Sequence, residues 1–192
     1  MEIDLGGRIA ALAGLAGGLR NAISGLLESN GAALSLVASG SDILRLAHLD
    51  VLVNVVLGPR EVRYIEGLCR AAAERMMTPG GRILNIVSAL GMIAVRGESH
   101  ASASAAAILA LTKALALEFG ARRILVNALA VGAIDGSPLA ARMISHVPLG
   151  RAGTVEEIAR AALFLVDPEN TYTTGHVMHV DGGWAAGYAR DF

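Results

Sequence analysis

The stretch Gly81-Arg-Ile-Leu-Asn-Ile-Val-Ser88 decides the fold, because its apolar run has the length of one fully buried strand. A long, largely uncharged helical pattern follows at residues 101–119, and a second apolar run follows at residues 124–131. A strand, a helix and another strand in this order are typical of parallel strands joined by a crossover helix. These residues therefore predict an α/β fold in which helices cover a parallel sheet.

Further strands and helices alternate on both sides of this stretch. Apolar runs predict strands at residues 9–12, 32–38, 50–57 and 176–180. Helical periodicity predicts helices at residues 21–28, 42–48, 61–77 and 155–165. Thr154 and Glu157 have the spacing of a capping box at the start of the last helix. The alternation predicts one domain over residues 1–192, with a doubly wound, Rossmann-like parallel sheet and helices on both faces.

Composition and charge exclude several classes of protein. The 192 residues include 16 basic and 17 acidic side chains, and the net charge of −1 provides no basic track for nucleic acid. The longest stretch without a charged residue, 99–112, is shorter than the roughly 18 to 20 residues that cross a bilayer. Cys69 is the single cysteine, which excludes a disulfide framework and a cysteine-based zinc site. The first residues do not have the pattern of a secretory signal, so we expect a cytoplasmic protein with no metal and no membrane partner.

Two further motifs give a resemblance to a known family. Residues 148–158 are Pro-Leu-Gly-Arg-Ala-Gly-Thr-Val-Glu-Glu-Ile, and residues 174–183 are Thr-Gly-His-Val-Met-His-Val-Asp-Gly-Gly. Together with residues 81–88, they have the order and context of motifs in the short-chain dehydrogenases/reductases, which the chain resembles over nearly its whole length. The resemblance implies a Rossmann-like fold, a nicotinamide cofactor, and catalysis by a serine, a tyrosine and a lysine.

Most of the catalytic positions that the resemblance implies carry other residues. In the family, a tyrosine and a lysine four residues later share one helix face, where the lysine lowers the pKa of the phenol for proton transfer. These positions fall on Ala101 and Ala105, and Ser88 stands thirteen residues before Ala101, at the spacing of the family's serine. We therefore expect no catalytic residue in this chain and interpret Ser88 as a relic. His100 is an alternative proton carrier, although one helical residue turns it about 100° from the tyrosine position.

The turn that the resemblance assigns to the cofactor is also altered. Where the family has Gly-x-x-x-Gly-x-Gly after its first strand, this sequence has Gly14-Leu-Ala-Gly-Gly18-Leu-Arg20. The pyrophosphate of a dinucleotide approaches such a turn only where glycines leave room. Arg20 fills that room, extends into solvent or itself holds a phosphate. The family's Asn-Asn-Ala-Gly is replaced by Asn54-Val-Val-Leu57, so we expect no cofactor on this chain.

The chain is shortened in the half that binds the cofactor in the family. Only 21 residues, 29–49, separate the first predicted helix from the strand at residues 50–57. A βαβ unit takes about 30 residues or more. Because the resemblance implies two strands before that point, we expect that one strand and its helix are missing.

These losses, beside a retained scaffold, lead to a functional hypothesis. We expect a non-catalytic structural subunit, a pseudoenzyme, in a hetero-oligomeric NAD-dependent alcohol dehydrogenase of this family, with a tetramer as the assembly. Its partner is an active short-chain dehydrogenase paralogue, which binds NAD and acts on a hydroxyacyl-CoA of anaerobic aromatic degradation, such as that of toluene. The alternatives are a divergent active reductase that uses His100, and a ligand-binding or regulatory module in the vacated cleft.

The helix at residues 101–119 is the expected contact with this partner. Its only charged residues are Lys113 and Glu118, so it is apolar on almost every side and needs to be covered on two sides. Leu111, Leu115 and Phe119 are expected to supply apolar contact area. Close approach of another helix is allowed by the small residues Ala103, Ala106, Ala107, Ala110 and Ala114.

Overall fold

The computed structural model describes residues 3–77 and 80–187. Its strands are β1 (Ile9–Gly14), β2 (Ala33–Val37), β3 (Val51–Val56), β4 (Arg82–Ser88), β5 (Leu125–Val131) and β6 (Val177–Val180). Its helices are α1 (Gly18–Ser29), α2 (Gly40–Leu44), α3 (Val62–Arg75), α4 (Ser99–Phe119), α5 (Pro138–Met143) and α6 (Val155–Val166). Every strand and helix expected from the sequence is present. The largest differences are that α2 ends at Leu44 rather than at residue 48, and that α5 has no counterpart in the sequence prediction; α1, α3 and α4 differ from the prediction by one to three residues at their ends.

One parallel sheet holds these strands in the order β2-β1-β3-β4-β5-β6. Residues 29–49 contribute only the strand β2, which forms one edge of the sheet, and the five-residue helix α2. The chain therefore lacks one strand and one helix between β1 and β3, as its length predicts. The structure confirms a doubly wound α/β fold that is shortened in its first half.

Helices cover both faces of the sheet because successive side chains of a strand point in opposite directions. In β4, Ile83 and Val87 pack with α2, α3 and α4, whereas Leu84 and Ile86 pack with α1 and α6. The central strands β4 and β5 are buried along nearly their whole length. Covered central strands of this kind are continuous apolar runs rather than alternating ones.

A chain of buried polar groups crosses the core between β3, β4 and α4. The side-chain amide of Asn54 donates to Oδ1 of Asn85 at 2.8 Å, and the amide of Asn85 donates to Oγ1 of Thr112 at 3.0 Å. The Thr112 hydroxyl donates to the carbonyl of Ile108. Cys69 lies beside both asparagines, and burial raises the pKa of its thiol to about 12, so it is an unreactive core residue. The polar chain fixes the position of α4 on the sheet.

Helix α4 packs one face on the sheet and leaves the other face open. Leu115 and Phe119 are only 0% and 7% exposed within the chain itself, so the expectation that they contact a partner is wrong. They follow Ile108 and Thr112 at helical spacing and share the face that packs on the sheet. The outer face carries Leu117, which is 87% exposed. The same outer face carries the exposed Ala103, Ala106, Ala110 and Ala114 and the charged side chain of Lys113, and Glu118 is exposed beside Leu117.

The segment Ser99–Arg122 also has the length and mean hydropathy of a helix that could cross a membrane. Within the fold, Ile108 and Leu115 are fully buried in the core between α4, α3 and the sheet. Because core helices of water-soluble domains have the same composition, we interpret the segment as a core helix.

A capping box begins α6, as the sequence predicts. The hydroxyl of Thr154 accepts the backbone N–H of Glu157 at 3.2 Å, and the Glu157 carboxylate accepts the backbone N–H of Thr154 at 2.9 Å. Arg151 donates two further hydrogen bonds to the same carboxylate, at 2.7 and 2.9 Å. The hydrogen bonds from Arg151 and Thr154 lower the pKa of Glu157 to about 2. The box fixes where the chain turns into α6, although its groups are exposed to solvent.

Candidate functional site

Ser88 lies at the carboxyl end of β4, where parallel α/β sheets bind their ligands. Its hydroxyl accepts the backbone N–H of Leu90 at 3.2 Å and caps the short 3-10 helix Ala89–Gly91. The serine thus stabilises the bend that leaves the strand. This role uses the oxygen as an acceptor and requires no neighbouring acid or base.

Ala101 and Ala105 lie one turn apart on α4, next to the bend that Ser88 caps. Gly91 approaches this helix so closely that an added Cβ would lie 2.7 Å from the nitrogen of Ala106 and 3.0 Å from Cβ of Ala105. Ala105 is 5% exposed as a result. The two positions that handle protons in the resembled family therefore present only methyl groups, packed against backbone or apolar neighbours.

An apolar cluster occupies the region between the start of α4, the end of β5 and α5. Ala101 packs against this cluster, which includes Leu90, Met143 and Trp184. An ion pair between Arg142 of α5 and Glu98, at 3.0 Å, holds α5 against the residues that precede α4. The carboxyl ends of β4 and β5 are therefore covered by apolar side chains.

His100, the alternative proton carrier, is exposed to solvent at the start of α4. The hydroxyl of Ser88 is engaged with Leu90 rather than with this imidazole. Ser104, on the next turn, is 9% exposed and bonds to the backbone of Arg60 in both directions, at 2.8 and 3.0 Å. Ser104 thus attaches the loop at Arg60, His100 contacts solvent, and the structure does not bring His100 and Ser88 together.

The turn between β1 and α1 does bring Gly14, Gly18 and Arg20 together. Gly14 has a φ of 138°, and an added Cβ would lie 2.7 Å from the carbonyl oxygen of Val55, so only glycine fits there. Nη1 of Arg20 donates to the carbonyl of Gly14 at 3.2 Å, while its buried Nε has no hydrogen-bond partner among the described residues. The guanidinium therefore lies folded back on the turn, at its edge facing the cleft.

A cleft of about 580 Å³ remains beside this turn. Every residue that lines it belongs to the first 68 residues, and Ser88, Ala101 and Ala105 are not among them. Its charged lining residues are Arg20, Asp42 and Arg60. Backbone N–H donation from Ala38 lowers the pKa of Asp42, with a further contribution from the Ser39 hydroxyl. The residues that line the cleft thus come from the ends of the first three strands and the segments that follow them, and not from the ends of β4 and β5.

Sequence analysis did not identify Arg60 and Tyr64 as part of this cleft. The Arg60 guanidinium lies 5.6 Å from the centre of the Tyr64 ring, within cation–π range. Both residues follow the carboxyl end of β3, and this position was the signal that could have identified them. Within residues 3–77 and 80–187, no three His, Cys, Asp or Glu side chains form a group that could hold a metal ion.

Comparisons with known proteins agree with these motifs. A family model described as enoyl-(acyl carrier protein) reductase matches residues 65–185. The chain belongs to the short-chain dehydrogenase/reductase family. Among its curated relatives are a 3-oxoacyl-(acyl-carrier-protein) reductase FabG of Chlamydia muridarum, 40% identical over 129 residues, and carbonyl reductase family member 4 of Danio rerio, 35% identical over 155 residues. This places the chain in a family of oxidoreductases.

The extent of these matches differs between sequence and structure. The FabG match covers 63% of this chain and 52% of the relative, and the carbonyl reductase match covers 79% and 60%. The chain thus spans about half the length of the first curated relatives it matches. A solved short-chain dehydrogenase/reductase from Serratia marcescens superposes with a TM-score of 0.84 at 24% identity, covering 94% of this chain and 99% of that one. At this identity the superposition shows the shared fold alone.

Proposed function

We propose that this chain is a non-catalytic structural subunit of a hetero-oligomeric, NAD-dependent short-chain dehydrogenase. An active paralogue with the family's tyrosine and lysine binds the NAD and does the chemistry. The observation that carries the proposal is the pair Ala101 and Ala105, because neither side chain can donate or accept a proton. The close packing of Gly91 on Ala105 supports it, since the site is built around the small residue rather than left as a gap.

The geometry of the cleft supports the absence of a cofactor on this chain. Arg20 lies at the turn where a pyrophosphate would approach, and the cleft does not extend to the ends of β4 and β5. Loss of several hydrogen bonds worth about 1 to 3 kcal/mol each moves a micromolar dissociation constant beyond the millimolar range. NAD in the assembly would therefore be held by the partner.

The open face of α4 supports association with a partner. It is largely apolar from Ala103 to the 87% exposed Leu117, with Lys113 as a charged side chain on it, and its alanines let another helix approach closely. Because Leu115 and Phe119 are buried inside the chain, the contact area comes from the alanines and Leu117 instead. Burial of about 800 Å² on each partner would be typical of a stable interface.

The substrate of the assembly follows from a finer resemblance. A shortened member of this kind is similar to the non-catalytic subunit of the dehydrogenase that oxidises 2-(hydroxy(phenyl)methyl)succinyl-CoA in anaerobic toluene degradation. A hydroxyacyl-CoA bound in the active partner is therefore the proposed substrate class. Turnover of such a thioester by the co-expressed assembly, and not by this chain alone, is the expected result.

Calorimetric titration with NAD and NADP tests the proposal on this chain. We expect no dissociation constant below about 100 μM for the chain, and in the assembly we expect one nucleotide for each active subunit. Arg20→Gly serves as a companion variant, because restoring one glycine leaves the missing strand and the short cleft unchanged. A nucleotide bound by this chain below 100 μM would contradict the proposal.

A second candidate function is a ligand-binding module, and the remaining cleft favours it. A volume of about 580 Å³ lies within the usual range for small-molecule sites, and Arg20 and Arg60 provide positive charge. A partner-free, folded chain that binds a nucleoside monophosphate through Arg20 would support this function. Loss of that binding in Arg20→Ala but not in Arg63→Ala would locate it in the cleft.

A further inference from the structure

A second cavity of about 580 Å³ lies at the opposite edge of the sheet, where the strands begin. Its lining comes from residues just before or at the start of β1, β3, β4 and β5 and from the segment after α6. The lining residues that matter here are Arg8, Asp50, Arg82, Arg123 and Tyr172. Neither the family motifs nor the proposed function assigns a role to this cavity.

The lining carries more positive than negative charge. Arg8, Arg82 and Arg123 line the cavity together with one acidic residue, Asp50. Oδ1 of Asp50 accepts from Arg8 at 3.3 Å, and its Oδ2 accepts the backbone N–H of Ile9 at 2.8 Å and lies 3.6 Å from Nε2 of His48. Asp50 is therefore fully engaged, and among the described residues neither Arg82 nor Arg123 forms an ion pair with a carboxylate.

Arg82 is the buried member of this group, at 9% exposure. Its guanidinium donates to the carbonyl oxygens of Gly81 at 3.2 Å, Pro168 at 3.0 Å and Asp167 at 3.4 Å. The carboxylate of Asp167 lies nearby but accepts the backbone N–H of Glu169 instead. Burial and the neighbouring Arg8 lower the pKa of Arg82. A buried cation that bonds only to neutral oxygens gains stability from an anion placed beside it.

The rest of the cavity is apolar and has an aromatic rim. Val51, Leu125 and Val166 form the nearly buried floor of the cavity, and the half-buried Pro168 and the 100% exposed Tyr172 lie among its more accessible lining residues. A flat apolar group would cover the accessible apolar atoms and stack on the tyrosine ring, which a bare ion cannot do.

We propose that this cavity binds an organic anion in which a carboxylate or phosphate is attached to a flat apolar ring. The anionic group lies between Arg82 and Arg123, and the ring lies against the accessible apolar atoms and Tyr172. The proposal is independent of the catalytic state of the chain, because the cavity and the carboxyl edge of the sheet lie at opposite ends of the strands.

Calorimetry with phenyl phosphate, benzoate, inorganic phosphate and phenol tests this site. The protein is used in its soluble form, alone or with its partner, and all substitutions are made in this chain only. We expect phenyl phosphate or benzoate to bind at least about tenfold more tightly than inorganic phosphate or phenol, since each of the latter lacks one of the two parts. The better of the two organic anions distinguishes a phosphate ester from a carboxylic acid as the natural ligand.

Substitutions at Arg123 and Tyr172 locate the binding. Arg123→Gln should weaken the organic anion about tenfold or more, as expected for loss of a charge-assisted hydrogen bond, whereas Arg123→Lys should retain most of the affinity. Tyr172→Ala should weaken the binding of phenyl phosphate and leave the binding of inorganic phosphate unchanged. Because the Tyr172 side chain is fully exposed, its removal should not unfold the protein. Arg63→Gln, at the start of α3 beside the other edge of the sheet, is the matched control and should change nothing.

Two results would overturn the proposal. One is equal affinity for the organic anion in the wild type and in Arg123→Gln. The other is equal affinity for phenyl phosphate and inorganic phosphate, which would show an unspecific cationic surface rather than a built site.

Discussion

The two halves of the sheet differ in what they retain. In the half from β4 to β6, the central strands are buried, the capping box of α6 is complete, and the family model matches from residue 65 onward. In the half from β1 to β3, the edge strand β2 is only partly buried, an arginine lies at the turn after β1, and one strand with its helix is missing. The two halves thus indicate that residues of the binding site can be lost from this fold while residues that pack its core are kept.

The contrast extends to the carboxyl end of β4 and the start of α4. There the scaffold around Ser88 is intact, and the two positions that the resemblance assigns to the tyrosine and the lysine carry Ala101 and Ala105. Core positions are held by the cost of a cavity, whereas an exposed catalytic side chain contributes little to stability. Under the proposed function, folding and association rather than chemistry would constrain this chain.

The largest expected effect compares a buried leucine of β4 with an exposed leucine of the edge strand β2. Leu84 of β4 is 0% exposed and Leu36 of β2 is 59% exposed. Leu84→Ala should lower the free energy of unfolding by about 2 to 5 kcal/mol, because it leaves a cavity between the sheet and its helices. Leu36→Ala should cost less than about 1 kcal/mol. Urea unfolding followed by circular dichroism, with both variants in the same soluble form, measures the two losses in free energy of unfolding. Equal losses would contradict the difference in packing between β4 and β2.

A smaller effect tests the local structure retained in the second half. The pKa of Glu157 is lowered to about 2, so its contribution to stability is complete above its ordinary value near 4.5 and is lost as the pH falls toward 2. Thermal unfolding midpoints should therefore fall over this window in the wild type. The Glu157→Gln variant should lack that part of the fall. Glu156→Gln removes a neighbouring acidic side chain of the same turn and should follow the wild type, so identical pH profiles for all three proteins would exclude the role given to the box.

The smallest effect concerns Ser88, which has no catalytic role under the proposed function. Ser88→Ala in this chain, assembled with a wild-type active partner, should leave kcat within about twofold, because the hydroxyl only caps a bend. The same substitution at the partner's catalytic serine is the control and should reduce kcat by 10²-fold or more. A comparable loss from Ser88→Ala in this chain would mean that the chain takes part in the chemistry.

Local sequence signals were enough to predict the strands, the long helices and the box at Thr154 and Glu157. Burial on both faces of a sheet gives its strands continuous apolar runs, which are visible in the sequence. The first backbone N–H groups of a helix need side-chain acceptors, which are visible as capping residues. Helix α5 was missed, since six residues beginning with Pro138 are too few for helical periodicity to be visible. Leu115 and Phe119 were assigned to the wrong face because a helix with few charges gives no polar side from which its orientation can be determined.

The size and depth of the two cavities could not be predicted from local sequence signals. Arg8, Asp50, Arg82 and Arg123 each precede or begin a strand, and the amino ends of parallel strands meet at one edge. Their clustering was therefore predictable in principle. The depth of the cavity was not, because it depends on how α6 and the segment after it pack against the sheet. The same holds for the remaining cleft at Arg20, whose size depends on where the guanidinium folds.

The proposed role depends most directly on association, and sedimentation analysis of co-expressed proteins measures it. We predict that this chain expressed alone is aggregated or poorly folded, and that co-expression with an intact short-chain dehydrogenase paralogue gives a soluble hetero-oligomer. Leu117→Asp on the open face of α4 should prevent co-purification, whereas Leu149→Asp, at a leucine that is 67% exposed elsewhere, should not. A stable, monodisperse monomer of this chain at micromolar concentration would contradict the account.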